Sequence, residues 1–190
     1  MTNSSKRSVA IALVHYPVLD REGALVTTAI TNLDVHDLAR SARTYGVTDY
    51  FIVHPIEVQR ELVRRICQHW AEGSSGRRIP DRKLALALVR TAASLEDVYA
   101  TMGGRGSIEV WVTAARKIGS PIALTEARAR LAGTGKPVLI LFGTGWGLAP
   151  APIDGADDSL ASIRAEAETG FNHLSVRAAC AITLDRLLGA

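Results

Sequence analysis

The chain has 190 residues, 47% of them hydrophobic, with a formal net charge of +3 and a sequence pI of about 9.1. That length suits one domain with a substantial core, and no apolar run is long enough to span a bilayer. Cys67 and Cys180 are the only cysteines and show no metal-binding spacing, so no metal site is expected and a reduced, cytoplasmic protein fits.

Residues 1–8 read as a disordered tail, polar and without the apolar core of a signal peptide; residues 9–190 read as a single domain. Residues 9–14 form an apolar run and a first strand. Residues 35–45 read as a helix, with Asp34 as its cap and Gly46 past its end. A second strand over 50–53 is stopped by His54-Pro55. Residues 57–70 form an amphipathic helix whose Val58, Leu62, Ile66 and Trp70 recur on one face. A turn-rich basic loop over 73–80 leads to a strand over 84–89. Ser94 to Asp97 starts a helix that ends at Gly103-Gly104. A strand over 108–113 and a helix over 125–131, capped by Thr125 and stopped by Gly133, come next. Strands over 138–142 and 160–163 and a long closing helix over 175–188 complete the chain. The alternation argues for an α/β sheet.

Two segments near the C-terminus hold the most chemistry. In 139–148 an apolar strand runs into a loop with Gly143, Gly145 and Gly147, where backbone groups can approach a flat ligand without a Cβ in the way. This is no dinucleotide fingerprint, because the third glycine of that pattern falls on Leu148. It is no phosphate loop either, because the Lys-Ser/Thr sequel is absent. A dinucleotide-binding oxidoreductase is therefore disfavoured. In 171–179 a polar loop feeds a helix, and Asn172, His173 or Ser175 can cap it.

The basic residues are unevenly chosen. Four of the 22 Lys+Arg are lysine, leaving 18 arginines, whose forked guanidinium suits phosphate. His36, Arg40 and Arg43 share one side of the first helix, and Asp37 meets Arg40 one turn on. Arg60, Arg64 and Arg65 on one helix, followed by Arg77, Arg78, Arg82 and Lys83, make the densest basic region. It reads either as a solvated charged face or as a phosphate track.

The two C-terminal segments resemble motifs 2 and 3 of the SPOUT-class RNA methyltransferases, whose S-adenosylmethionine pocket lies in a C-terminal knot. The whole chain is similar to one bacterial subfamily of that class, also found as a partner domain of a tRNA guanine methyltransferase. The resemblance rests on Thr-Asn-Leu-Asp-x-His-Asp-x-Ala-Arg over 31–40, Pro-Asp-Arg-Lys over 80–83, Phe-Gly-Thr-Gly-Trp-Gly-Leu over 142–148 and Asn-His-Leu-Ser-Val-Arg over 172–177. It implies a SPOUT-like α/β/α sandwich with a parallel sheet and a C-terminal trefoil knot. It also implies methyl transfer from S-adenosylmethionine to RNA, tRNA ahead of rRNA, by a homodimer with no membrane role. Cofactor contacts would come from Thr113, Ala114, Ala115, Phe142, Gly143, Thr144, Gly145, Trp146, Gly147, Leu148, Ile163, Asn172, His173, Leu174 and Ser175. Arg40 would orient a phosphate or the acceptor, and Asp37 or His36 would take the proton. Arg43, Arg60, Arg64, Arg77, Arg78, Arg82 and Lys83 would touch RNA. A different class stays open: an RNA-binding accessory domain that holds the cofactor without chemistry. The glutamate common in motif 2 is absent here, and Gly145 fills that region.

Overall fold

The computed structural model describes residues 6–167 and 169–190. The first apolar run becomes β1 (Val9–Val14), and all six of its residues are buried. Unbroken burial of this kind needs cover on both faces of the strand. On one face Val9, Ile11 and Leu13 pack with Val35 and Leu38 of α1 (Asn32–Thr44), Leu131 of α6 (Leu124–Ala132) and Leu184 of α8 (Val176–Leu188). On the other, Ala10, Ala12 and Val14 pack with Leu95 and Val98 of α5 (Leu95–Thr101). The outcome is a parallel sheet between two layers, as an alternating strand and helix pattern requires.

Six parallel strands lie in the order β5 (Val89–Ala92), β4 (Tyr50–Val53), β1, β7 (Val138–Gly143), β6 (Glu109–Val112), β8 (Asp158–Ser159). The chain lays down β1, β4 and β5 in one direction, then crosses back and builds β6, β7 and β8 on the opposite flank of β1. Connections therefore diverge between β1 and β7. A crevice at the carboxyl ends of strands at such a switch point is where open α/β sheets take ligands. A small hairpin of β2 (Val18–Leu19) and β3 (Leu25–Val26) stands over that end.

Several elements differ from the expected ones, each for a local reason. The first helix starts at Asn32, because the Thr31 hydroxyl accepts the Asp34 N–H from an extended backbone; Asp34 is inside the helix and is not its cap. The strand expected over 84–89 is instead α4 (Pro80–Leu86), with Pro80 in its first turn pre-setting the helical φ. The basic loop before it holds a turn of helix, α3 (Ser74–Arg78). The helix α6 is entered from Ala123, with no side-chain cap, so Thr125 lies within it. The last strand lies at Asp158–Ser159, while Leu160 makes only an isolated bridge to Ile122. A short helix, α7 (Pro150–Asp154), had no counterpart in the sequence reading. Along α2 (Glu57–Glu72) the expected apolar face is only half used. Ile66 and Trp70 pack on the core, whereas Val58 is 75% and Leu62 42% exposed.

Of the expected tail, residues 1–5 lie outside the described residues. Arg7 donates its N–H to the Leu131 carbonyl, and its guanidinium sits 2.8 Å from Glu109. Among the described residues no helix is long and apolar enough to cross a membrane.

Candidate active site

A cleft of about 590 Å³ opens at the switch point. The loop leaving β7 forms one wall and the loop before α8 the other, and both of the singled-out C-terminal segments meet there. All fifteen residues expected around a cofactor line it, together with Thr28, Asp34 and Arg177. Asn172 Nδ2 donates to the Ala115 carbonyl at 3.0 Å, tying the last loop to the end of β6. Ser175 caps α8 by accepting the Ala178 N–H. At the mouth the Trp146 and His173 rings meet edge-on at 5.5 Å.

The three glycines of the turn do different work from that read off the sequence. A Cβ on Gly143 would stand 2.6 Å from the Leu148 nitrogen, and one on Gly145 2.8 Å from the Leu19 carbonyl oxygen. These two permit the chain to close on itself, not on a ligand. The Trp146 N–H donates to the Leu19 carbonyl at 2.9 Å, and the Leu19 N–H donates to Gly147, so the hairpin clasps the turn. Gly147 alone faces open space, at φ +108°, a backbone conformation that glycine adopts freely.

Beneath the turn runs a chain of hydroxyls. Thr144 donates to the Val14 carbonyl at 3.0 Å, so the 2.5 Å contact between Thr28 and Thr144 has Thr28 as donor. The Thr28 oxygen is then free to accept from His15 Nδ1 at 3.0 Å. His54 accepts the Ile56 N–H at Nδ1 and donates from Nε2 to the Thr28 carbonyl. His15 is fully buried and braces Thr28.

Burial, reinforced by His54, lowers the His15 imidazole from 6.5 to about 4. Between those values the unfolded chain binds a proton that the folded one refuses. The stabilisation is complete above about pH 6.5 and is lost as pH falls toward 4, worth about 3 kcal/mol in total. Urea midpoints should fall steeply from pH 7 to 4.5, and His15→Asn should flatten that dependence. An unchanged slope in the variant would remove His15 as the cause.

The expected catalytic group stays together on α1, outside the cleft lining. None of His36, Asp37 and Arg40 lines the cleft. His36 meets Trp70 edge-on at 5.5 Å; burial, then Arg82, holds its imidazole below the usual range. Arg40 lines a separate hollow with Arg43 and Arg82. Asp37 stays near the cleft rim, 3.6 Å from the Arg177 guanidinium. What the sequence missed is the pair Asp34–Arg177. Arg177 donates to Asp34 Oδ1 at 2.9 Å, and the Thr31 hydroxyl donates to Oδ2 at 2.6 Å. Both residues stand inside the recognised motifs, but only their pairing gives them a role. Arg60 and Arg64, expected on RNA, are bound to Glu57, and Arg64 also to Glu61. Arg77, Arg78 and Lys83 are exposed.

A family model described as SAM-dependent RNA methyltransferase matches residues 8–189. The chain belongs to this family. As a SAM-dependent RNA methyltransferase-family member, it is 41% identical over 183 residues to a tRNA (guanine-N(1)-)-methyltransferase of Oleidesulfovibrio alaskensis, covering 96% of this chain and 42% of that protein. An uncharacterized protein of Aquifex aeolicus is 37% identical over 183 residues, 95% of this chain and 88% of its own length. The chain spans about two fifths of the length of the tRNA methyltransferases it matches. Among solved structures, a TrmH/SpoU tRNA modifying enzyme of A. aeolicus superposes with a TM-score of 0.59 at 12% identity, over 97% of this chain and 76% of that one. The methyltransferase AviRb of Streptomyces viridochromogenes, solved with AdoMet, gives 0.58 at 12% identity, over 97% and 58%. These likenesses show a shared SpoU/TrmH fold.

The cleft fits the family's S-adenosylmethionine. Its volume lies in the range of small-molecule sites, and it is walled by apolar side chains with a few polar groups. Gly147 lines the cleft, and a Cβ there would meet no protein atom within 4 Å.

Proposed function

We propose that this chain transfers a methyl group from S-adenosylmethionine to RNA, with tRNA the foremost substrate. The observation that carries the reading is the meeting of 143–148 and 172–175 across one cleft at the switch point, beside the Asp34–Arg177 pair. When bound, the cofactor supplies a methyl carbon made electrophilic by its sulfonium. The chain's residues place the acceptor in line and take its proton. Asp34 has both oxygens engaged, which suits it to fixing Arg177 rather than accepting a proton. Among the described residues Asp37 has only the long contact to Arg177, and its carboxylate is half-exposed, so it is the better base. Arg177, anchored by Asp34, can turn its remaining N–H groups to an RNA oxygen.

A homodimer belongs to this reading, since Leu33, Val58 and Leu62 are large apolar side chains left exposed on α1 and α2. So does a C-terminal knot, supported by the way 172–175 returns over the end of β6 before α8 packs on α1 and α6. A cytoplasmic setting follows from RNA as substrate. The accessory-domain reading is favoured by one observation: among the described residues Asp34 is the only carboxylate lining the cleft.

Radiolabelled methyl transfer to total bacterial tRNA and rRNA tests the choice. Incorporation into tRNA is expected. Tight cofactor binding by calorimetry with no transfer to either RNA would favour the accessory domain.

A further inference from the structure

The segment Pro80-Asp81-Arg82-Lys83 finds no place in the methyl cleft, yet the fold gives it a defined neighbourhood. A second hollow of about 410 Å³ lies between α1 and α4, and it shares no lining residue with the cleft. Three guanidiniums line it, those of Arg40, Arg43 and Arg82, against one carboxylate, Asp81. Among the described residues none of the three makes an ion pair, whereas Arg60, Arg64 and Arg65 on the neighbouring α2 are all held by Glu57 or Glu61. The positive charge of this region is therefore concentrated at the hollow rather than along α2.

Arg82 is held in place before any ligand arrives. Its guanidinium lies 4.8 Å over the Trp70 ring, and His36 meets that ring edge-on from another side. Stacking uses the face of the guanidinium and leaves its in-plane N–H donors free for a forked acceptor. Arg40 and Arg43 lie roughly one and a half to two and a half helical turns along α1 from Asp34 at the cleft, about 9 to 14 Å at 1.5 Å per residue.

We propose that this hollow binds a phosphodiester of the RNA backbone flanking the nucleotide held at the cleft, a role that rests on the RNA reading above. Arg82 and Arg43 are its anchors, and Arg40 closes its cleft-facing side. The apolar neighbours Ile79 and Leu84 are exposed beside it.

Filter retention of total bacterial tRNA at several KCl concentrations tests this, with Arg43→Ala, Arg82→Gln and Arg82→Lys checked for folding by circular dichroism. Arg43 is exposed on its helix, so Arg43→Ala stays informative even if loss of the Trp70 stack destabilises the Arg82 variants. Arg43→Ala and Arg82→Gln should each weaken tRNA binding about tenfold and lower the log–log salt slope by about 1, with S-adenosylmethionine affinity unchanged. Arg82→Lys should keep the slope and recover only part of the affinity, because it keeps the charge and loses the fork. Folded variants with wild-type tRNA affinity and slope would overturn the proposal. Loss of pyrophosphate binding in calorimetry, with tRNA binding intact, would overturn it in favour of a free-anion site. Wild-type protein that takes S-adenosylmethionine but retains no tRNA would sink the RNA reading itself, and this site with it.

Discussion

Gly143→Val should abolish S-adenosylmethionine binding, lowering affinity at least 100-fold by calorimetry, about 2.7 kcal/mol. The new Cβ would begin 2.6 Å from the Leu148 nitrogen, a backbone atom that cannot swing aside. To relieve the clash the turn must open, and the turn is a wall of the cleft. Overpacking of this kind also costs about 1–3 kcal/mol of stability, so the melting temperature should fall by several degrees. Gly145→Val should behave alike, because its Cβ would meet the Leu19 carbonyl and its φ of +59° is unfavourable for a branched side chain. Gly147→Ala separates the two causes. It has no protein neighbour to strike, so beyond the strain of φ +108° its loss of affinity should exceed its loss of stability. If Gly143→Val binds cofactor as the wild type does, the turn is not part of the cofactor site.

Asp37→Asn should lower the single-turnover rate of methyl transfer by about 10²–10⁴ while leaving cofactor affinity intact, the range expected for removing a general base. Arg177→Ala should do something else. It strands the Asp34 carboxylate, whose side chain is only 7% exposed, so the protein should lose about 3 kcal/mol of stability along with activity. Arg40→Ala should act through RNA, raising KM more than it lowers kcat, since Arg40 lines the second hollow. Wild-type single-turnover rates in Asp37→Asn would remove it from the chemistry and leave the accessory-domain reading stronger.

What the sequence determined by itself was whatever is written in neighbouring residues. The apolar runs of β1, β4 and β7 were legible, because strands covered on both faces must be apolar throughout. The start of α5 was legible, because Ser94 and Asp97 form a capping box within four residues. The cleft lining followed from the resemblance, because its motifs are contiguous. Where two local signals competed, the sequence was ambiguous: Leu84, Leu86 and Leu88 alternate like a strand, and Pro80 turned the segment into a helix. Only the tertiary structure could join Asp34 to Arg177, 143 positions apart. It alone showed that Arg60 and Arg64 are neutralised while Arg43 and Arg82 face a hollow. It alone showed that two of the three glycines serve the close approach of their own chain. Periodicity and capping act over a few residues, whereas a site is made by side chains that the sheet's crossovers bring together, and no local pattern encodes which of them will meet.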